Sequence, residues 1–322
     1  MRQRRASAER SDAKPVDLTT RIGSVTLPNP VMTASGTAGH GAELAPYLDL
    51  AGLGAVVVKS VAAFPWAGNP APRLHPTTAG MLNAVGLQGP GVAAWLLDDL
   101  PPLLQSGARV VASIWGRSIE EYRAAADLLA AAPGDVVAVE VNLSCPNLED
   151  RRHMFAHSAA STRAAMEATA GCGRPRWAKL SPTTPELPEV AAAAREGGAD
   201  AVTLVNTLLG MVLDPATGRP VLGRGGGGLS GPAILPVAVR AVFDVRAAHP
   251  DLPIVGVGGV AHGRDAAQLL LAGAQAVQVG TATFADPRAP ARVLAELQTW
   301  SVGAGITALA DVVGAAHRGG LP

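Results

Sequence analysis

Lysine is almost missing from this chain: Lys14, Lys59 and Lys179 are the only three in 322 residues. Basic and acidic residues balance at 26 each and charge occupies 16% of positions. That balance argues against a nucleic-acid or anionic-membrane partner. Aromatics, at 3%, leave little for stacking single strands. The two cysteines, Cys145 and Cys172, form no CxxC pair and no Cys/His cluster. A disulfide framework is excluded, no metal or iron–sulfur ligand set is expected, and a reducing cytoplasm is the expected setting. No run of about 18 apolar residues occurs, so no membrane span is expected.

What is present is apolar, at 48%, and punctuated by 37 glycines and 26 prolines, which reads as many turns in a large core. Residues 1–16 are polar and Arg-rich, broken by Glu9 and Asp12, with no apolar targeting segment; a disordered N-terminal tail is expected. Residues 17–310 form one expected domain, and 311–322 an expected C-terminal tail.

Leu18 to Val31 reads as a short hairpin. Eight apolar runs follow: Val31–Ala34, Ala55–Ser60, Arg109–Ile114, Val136–Leu143, Trp177–Leu180, Ala201–Asn206, Pro253–Val257 and Ala276–Val279. Continuous rather than alternating apolar strands imply burial on both faces, as in a parallel sheet. Helices are expected at 41–50, 92–105, 118–132, 158–170, 185–197, 232–247, 263–272 and 287–300. Eight strand–helix units predict a (β/α)8 TIM barrel with the hairpin before it. The connections 61–91 and 207–231 are long, and in a barrel both belong over the C-terminal face, where chemistry sits.

Four features carry that chemistry. Val141 to Asn147, VNLSCPN, puts amides, a hydroxyl and a thiol at the end of the fourth strand. Cys145 there reads as a nucleophile or an acid/base group. A nucleophile wants a histidine, and His75, His153 and His157 fall in possible face loops without a recognisable motif. Cys172, after the fourth helix, reads as structural. Second, VGVGGV at 255–260 and VGT at 279–281 end the seventh and eighth strands, and GGGGLSG at 225–231 precedes the sixth helix. Glycines there let backbone N–H groups approach a phosphate. Third, Lys59 and Lys179 lie in apolar strands, where an ammonium needs a bound anion or an anionic ring. Fourth, Asn83, Asn142, Asn147 and Asn206 on one face could read a planar polar ligand.

Together NLSCPN at 142–147, KS at 59–60, MLNAVGLQGPG at 81–91, VNTLLGM at 205–211, GGLSGPA at 227–233, GVGG at 256–259 and VGTA at 279–282 resemble dihydroorotate dehydrogenase, over about residues 17 to 300. The resemblance implies an FMN-binding barrel that oxidises (S)-dihydroorotate to orotate in pyrimidine synthesis. The cysteine in NLSCPN resembles the soluble class 1, and NAVGLQ looks like class 1B, whose members pass electrons to NAD through a partner subunit carrying FAD and an iron–sulfur cluster. A homodimer is also a family expectation.

Residue by residue, the resemblance makes Cys145 the base, with hydride passing from the substrate to flavin N5. Lys59 and the turn Asn83, Ala84, Val85, Gly86 and Leu87 would hold substrate, with Asn142, Asn206 and Thr207 reading its edges. Ser35, Lys59, Ser60, Asn142, Lys179 and Val205 would line the flavin, Lys179 near its N1/O2 edge. Gly231, Gly258, Gly259, Gly280 and Thr281 would hold its phosphate. The chain departs from the family at Ser113, where an asparagine is usual, and at the charged stretch 148–157. Those departures leave another dihydropyrimidine as an alternative substrate. A flavin-free phosphate-binding barrel lyase or isomerase, or a non-catalytic scaffold of an electron-transfer complex, are the alternatives of other classes.

Overall fold

The computed structural model describes residues 15–144 and 154–321. Eight parallel strands form its centre: Val31–Thr33, Val56–Val57, Val110–Ile114, Val136–Asn142, Arg176–Leu180, Ala201–Leu204, Ile254–Val257 and Ala276–Val279. Neighbours in sequence are neighbours in the sheet, the eighth pairs with the first through Gln278 and Met32, and a bridge from Met32 to Ala55 closes first to second. The sheet is therefore a barrel. All eight expected strands are present, because each is a predominantly apolar run buried on both faces.

The expected hairpin is there too, Thr20–Ile22 against Val25–Leu27. Ile22, Val25 and Leu27 plug the N-terminal mouth and pack on Met32, Ala55, Val57, Val111, Ala138, Trp177, Ala201, Val255 and Ala276. This lower barrel layer is filled by apolar residues, the common solution for a small barrel interior.

The helices need two corrections. Residues 41–50, expected as the first helix, form isolated turns, such as Ala45 N to Ala42 O at 2.9 Å. Pro46 removes a backbone donor, and the Glu43 carboxylate takes the N–H groups of His40 and Gly41 instead. The expected helix 92–105 is broken into Val92–Ala94, a π turn over Trp95–Asp99, and Leu100–Gln105. Pro101 and Pro102 cannot donate to the preceding turn, so the ladder loosens just before them. The other helices are Ile119–Leu129, Ala159–Ala168, Leu187–Glu196, Leu235–Ala248, Gly263–Ala272 and Ala289–Gly303, with a short one at Ala282–Ala285.

The chain after 310 is not a free tail as far as Arg318. Short 3-10 turns at Leu309–Val312 and Ala315–Arg318 bury Val312 and Ala315. Gly314 N donates to Leu270 O at 2.9 Å, and the His317 ring stacks on Phe243 at 4.0 Å. Apolar side chains at two positions suffice to dock it on the seventh helix.

The two long connections are not irregular either. Leu74–Thr77 and Gly80–Asn83 from one, and Leu208–Gly210 and Gly227–Ser230 from the other, build a four-stranded antiparallel sheet over the C-terminal mouth. Gly228 lies opposite Asn83, and a Cβ at the adjoining Gly227 would sit 2.4 Å from Asn83 O. Only glycine permits the two loops to close this tightly.

Candidate active site

Between the strand ends and this capping sheet lies a cavity of ≈ 380 Å³, in the range that takes a small molecule. Every residue singled out from the sequence as a ligand contact, Cys145 and Asn147 aside, borders it. Lys59, Ser60 and Ser35 come from the first two strands, Asn142 from the fourth, Lys179 from the fifth, and Val205, Asn206 and Thr207 from the sixth. Asn83 to Leu87 cover it from the capping sheet, while Gly231, Gly258, Gly259, Gly280 and Thr281 border it from the remaining strand ends and the sixth-helix entry. Cys145, Asn147 and His153 lie outside the described residues.

A polar network runs around the strand ends. Ser60 Oγ is 3.2 Å from Ser35 Oγ and 2.8 Å from Ser113 Oγ, and it accepts from Asn142 Nδ2 at 3.3 Å. Asn206 Nδ2 donates to Asn142 Oδ1 at 3.2 Å. Five strands are thus tied by side chains just under the cavity. Ser113, the departure from the family pattern, is fully buried and serves as a link in this network. Asn142 is also fixed from behind, since the Tyr122 hydroxyl donates to its carbonyl at 2.6 Å. One residue on, Leu143 O accepts from Ala156 N at 2.9 Å.

The two strand lysines have different surroundings. Lys59 is half-buried and borders the cavity without a carboxylate partner among the described residues. Burial first, and the Arg73 guanidinium second, hold its ammonium below the ordinary lysine range. Arg73 itself is held by the loop, through Asn69 O at 2.6 Å, Ala67 O at 3.0 Å and the Gln88 amide. An unpaired cation beside a second cation is a site that wants an anion. Lys179, by contrast, is ion-paired with Glu140 at 3.2 Å inside the barrel.

Part of the cavity wall is a glycine cradle. Gly259 has φ 77°, and a Cβ there would lie 2.6 Å from the backbone nitrogen of Leu235, where the sixth helix begins. Gly231, at φ 98°, precedes the same helix. Thr281 Oγ1 donates to Ser230 Oγ at 2.8 Å across the cradle. A helix start, close-packed glycines and two hydroxyls are the elements of a phosphate site.

An α/β barrel with a phosphate cradle after strands seven and eight, an anion-seeking lysine and a ring of amides meets a direct counterpart in sequence. The family model for dihydroorotate dehydrogenase matches residues 17–300. The chain belongs to the dihydroorotate dehydrogenase family.

Its curated relatives are similar over nearly their whole length. The dihydroorotate dehydrogenase B (NAD(+)) catalytic subunit of Desulforudis audaxviator is 50% identical over 300 residues, 93% of this chain and 97% of that protein. The protein of the same name from Geobacter metallireducens is 42% identical over 303 residues, 93% and 98% respectively. The dihydroorotate dehydrogenase A (fumarate) of Lactiplantibacillus plantarum is 44% identical over 299 residues, 92% and 97%. Dihydroorotate dehydrogenases are flavin-dependent oxidoreductases. No helix among the described residues is long and apolar enough to cross a membrane.

Sequence reasoning passed over several residues at the site. Glu140 and Gln278 each lie within an apolar run; their signal is one polar residue at an inward position of an otherwise apolar strand. Asn69, Arg73 and Met154 belong to loops whose course the local sequence does not reveal; Asn69 and Met154 border the cavity. The candidate histidines do not: neither His75 nor His157 borders it, and His157 Nε2 lies 2.8 Å from Thr183 Oγ1. Cys172 is fully buried, and burial pushes its thiol up.

Proposed function

We propose that this chain oxidises (S)-dihydroorotate to orotate, for pyrimidine (UMP) synthesis, with FMN as its resident cofactor. The observation that carries the reading is the make-up of one cavity, bordered by a glycine cradle, by a lysine with no carboxylate partner among the described residues, and by the turn Asn83–Leu87. A phosphorylated planar ring and a small carboxylate would meet between them.

The residues fit FMN on their own chemistry. Gly231, Gly258, Gly259, Gly280 and Thr281 would hold its phosphate, and Ser35, Lys59, Ser60, Asn142, Lys179 and Val205 would line its ring. When bound, the flavin supplies a hydride acceptor. Lys59 holds the substrate carboxylate, with backbone groups of Asn83, Ala84, Val85, Gly86 and Leu87 around it. Asn142, Asn206 and Thr207 orient the pyrimidine edges. Cys145 removes the proton from the carbon beside the substrate carbonyl, so that the neighbouring carbon can give up its hydride. The capping sheet keeps water from that exchange. As the resemblance to class 1B implies, a partner subunit with FAD and an iron–sulfur cluster would take the electrons on to NAD, with this chain working as a homodimer in the cytoplasm.

The test is anaerobic. Purified protein should absorb at about 450 nm, as oxidised flavins do, and bleach with dihydroorotate but not with dihydrouracil. Colourless protein would end the flavin reading; equal bleaching by both would end the substrate assignment. Reoxidation by NAD only in the presence of co-purified partner protein supports the partner; direct reoxidation by fumarate points to the A-type acceptor.

A further inference from the structure

Lys179 is one corner of a closed circuit. Its Nζ donates to Glu140 Oε1 at 3.2 Å and to Gln278 Oε1 at 3.5 Å, and Gln278 Nε2 donates to Glu140 Oε2 at 2.7 Å. The three side chains come from the fourth, fifth and eighth strands. Glu140 and Gln278 are fully enclosed. The circuit occupies both carboxylate oxygens, both ends of the amide and two of the three ammonium protons. Of the three residues, Lys179 alone borders the cavity.

Packing does not require this circuit. Two residues earlier on the same strands, Ala138, Trp177 and Ala276 fill the barrel with apolar groups. Burying a carboxylate costs several kcal/mol, and an apolar replacement of an enclosed ion pair is often neutral or stabilising. A lysine needed only as a full positive charge would not be given a counter-charge on its inner side. Lys59, with no carboxylate partner among the described residues, is a cavity lysine held without such a pairing there.

We infer that Glu140 is a positioning residue that sets the field of Lys179. It fixes the ammonium at the cavity floor and cancels part of its charge. The flavin gains negative charge on reduction, and it meets a tempered cation rather than a full one. Gln278 completes the arrangement by holding the second carboxylate oxygen, so the carboxylate cannot turn away from Lys179. The low-dielectric barrel interior extends the reach of both charges. The inference rests on the flavin reading above and adds the residue that tunes it.

The measurement is the flavin midpoint potential of the holoprotein, equilibrated against a redox dye. Glu140→Gln leaves Lys179 uncompensated, so the two-electron equilibrium should move at least tenfold toward the reduced form, about 30 mV. Lys179→Met should move it the other way. A purely structural Glu140 would lower the unfolding midpoint and leave the potential in place. A flavin-loaded Glu140→Gln protein whose potential is unchanged within threefold, or lowered, overturns the inference. Should that variant fail to fold, Lys179→Met and Lys179→Met/Glu140→Gln read the same charge. The double variant should then lie at least tenfold toward reduction relative to the single one, and equality overturns the inference. Flavin-free wild-type protein would remove the flavin reading itself, and this inference with it; a loaded variant with an unmoved potential removes the inference alone.

Discussion

The two mouths of the barrel are built from the same eight strands and have opposite character. At the N-terminal mouth, Ile22, Val25 and Leu27 of the hairpin close over Met32, Val57 and Trp177, and every side chain there is apolar and buried. At the C-terminal mouth, Ser60, Ser113, Asn142 and Asn206 link strand to strand by hydrogen bonds, and Lys59 has no carboxylate partner among the described residues. One end contributes stability and the other chemistry, with about two residues of strand between them. The contrast assigns each substitution to one measurement: unfolding at one end, ligand and redox behaviour at the other.

The largest expected effect belongs to the reactive end. Cys145→Ala should leave flavin bound and slow its reduction by dihydroorotate about 10²–10⁴-fold, the usual worth of a positioned acid/base group, as read by anaerobic stopped flow. A near-normal rate would remove Cys145 from its proposed role. Cys145→Ser should keep a residual rate that climbs with pH, because a hydroxyl is the weaker acid.

Next in size, and at the other mouth, Trp177→Ala should cost about 3–5 kcal/mol of unfolding free energy. Denaturant titration reads it, and the folded fraction should keep its affinity for orotate. A loss of affinity without a loss of stability would break the division between the two ends.

Lys59→Met comes third. Removing a charged hydrogen-bond donor should weaken orotate binding by about 1.5–3 kcal/mol and leave thermal unfolding unchanged or improved, since an unpaired buried cation goes with it. The same residue gives a pH signature. Orotate needs the protonated ammonium, so its affinity falls as pH rises through the Lys59 pKa. Because burial and Arg73 lower that pKa, the fall should begin below the ordinary lysine value of about 10.4. In the ligand-free protein the sign reverses: the unfolded chain holds the proton more tightly, so stability rises with pH across the same window. The smallest effect, about 0.5–1.5 kcal/mol, is expected for Ile22→Val in the hairpin plug, with no change in any ligand measurement.

The same contrast explains what could be read from sequence. The eight strands were legible because burial on both faces leaves a predominantly apolar run, and the hairpin because a short turn joins its strands. The cavity residues were legible as glycines, amides and lysines at strand ends. The broken helices were missed where Pro46, Pro101 and Pro102 outweigh an apolar pattern. The capping sheet was missed because its pairing is not local: Asn83 meets Gly228, 145 positions away. Glu140 and Gln278 were missed for a related reason, since each is one polar residue in an apolar strand and only the closed barrel brings them to Lys179.

That distant pairing has a kinetic consequence. A contact between residues so far apart in the chain carries a loop-closure cost, because each long loop must be ordered over its strand ends. The roof over the cavity should therefore be slow to assemble. It should also be the first part to open, and amide hydrogens in 74–77, 80–83, 208–210 and 227–230 should exchange while those of the barrel strands stay protected. A ligand that spans the cavity would join the roof to the barrel and bring the two exchange rates together, so a slow step of folding and the capture of substrate would be the same closure.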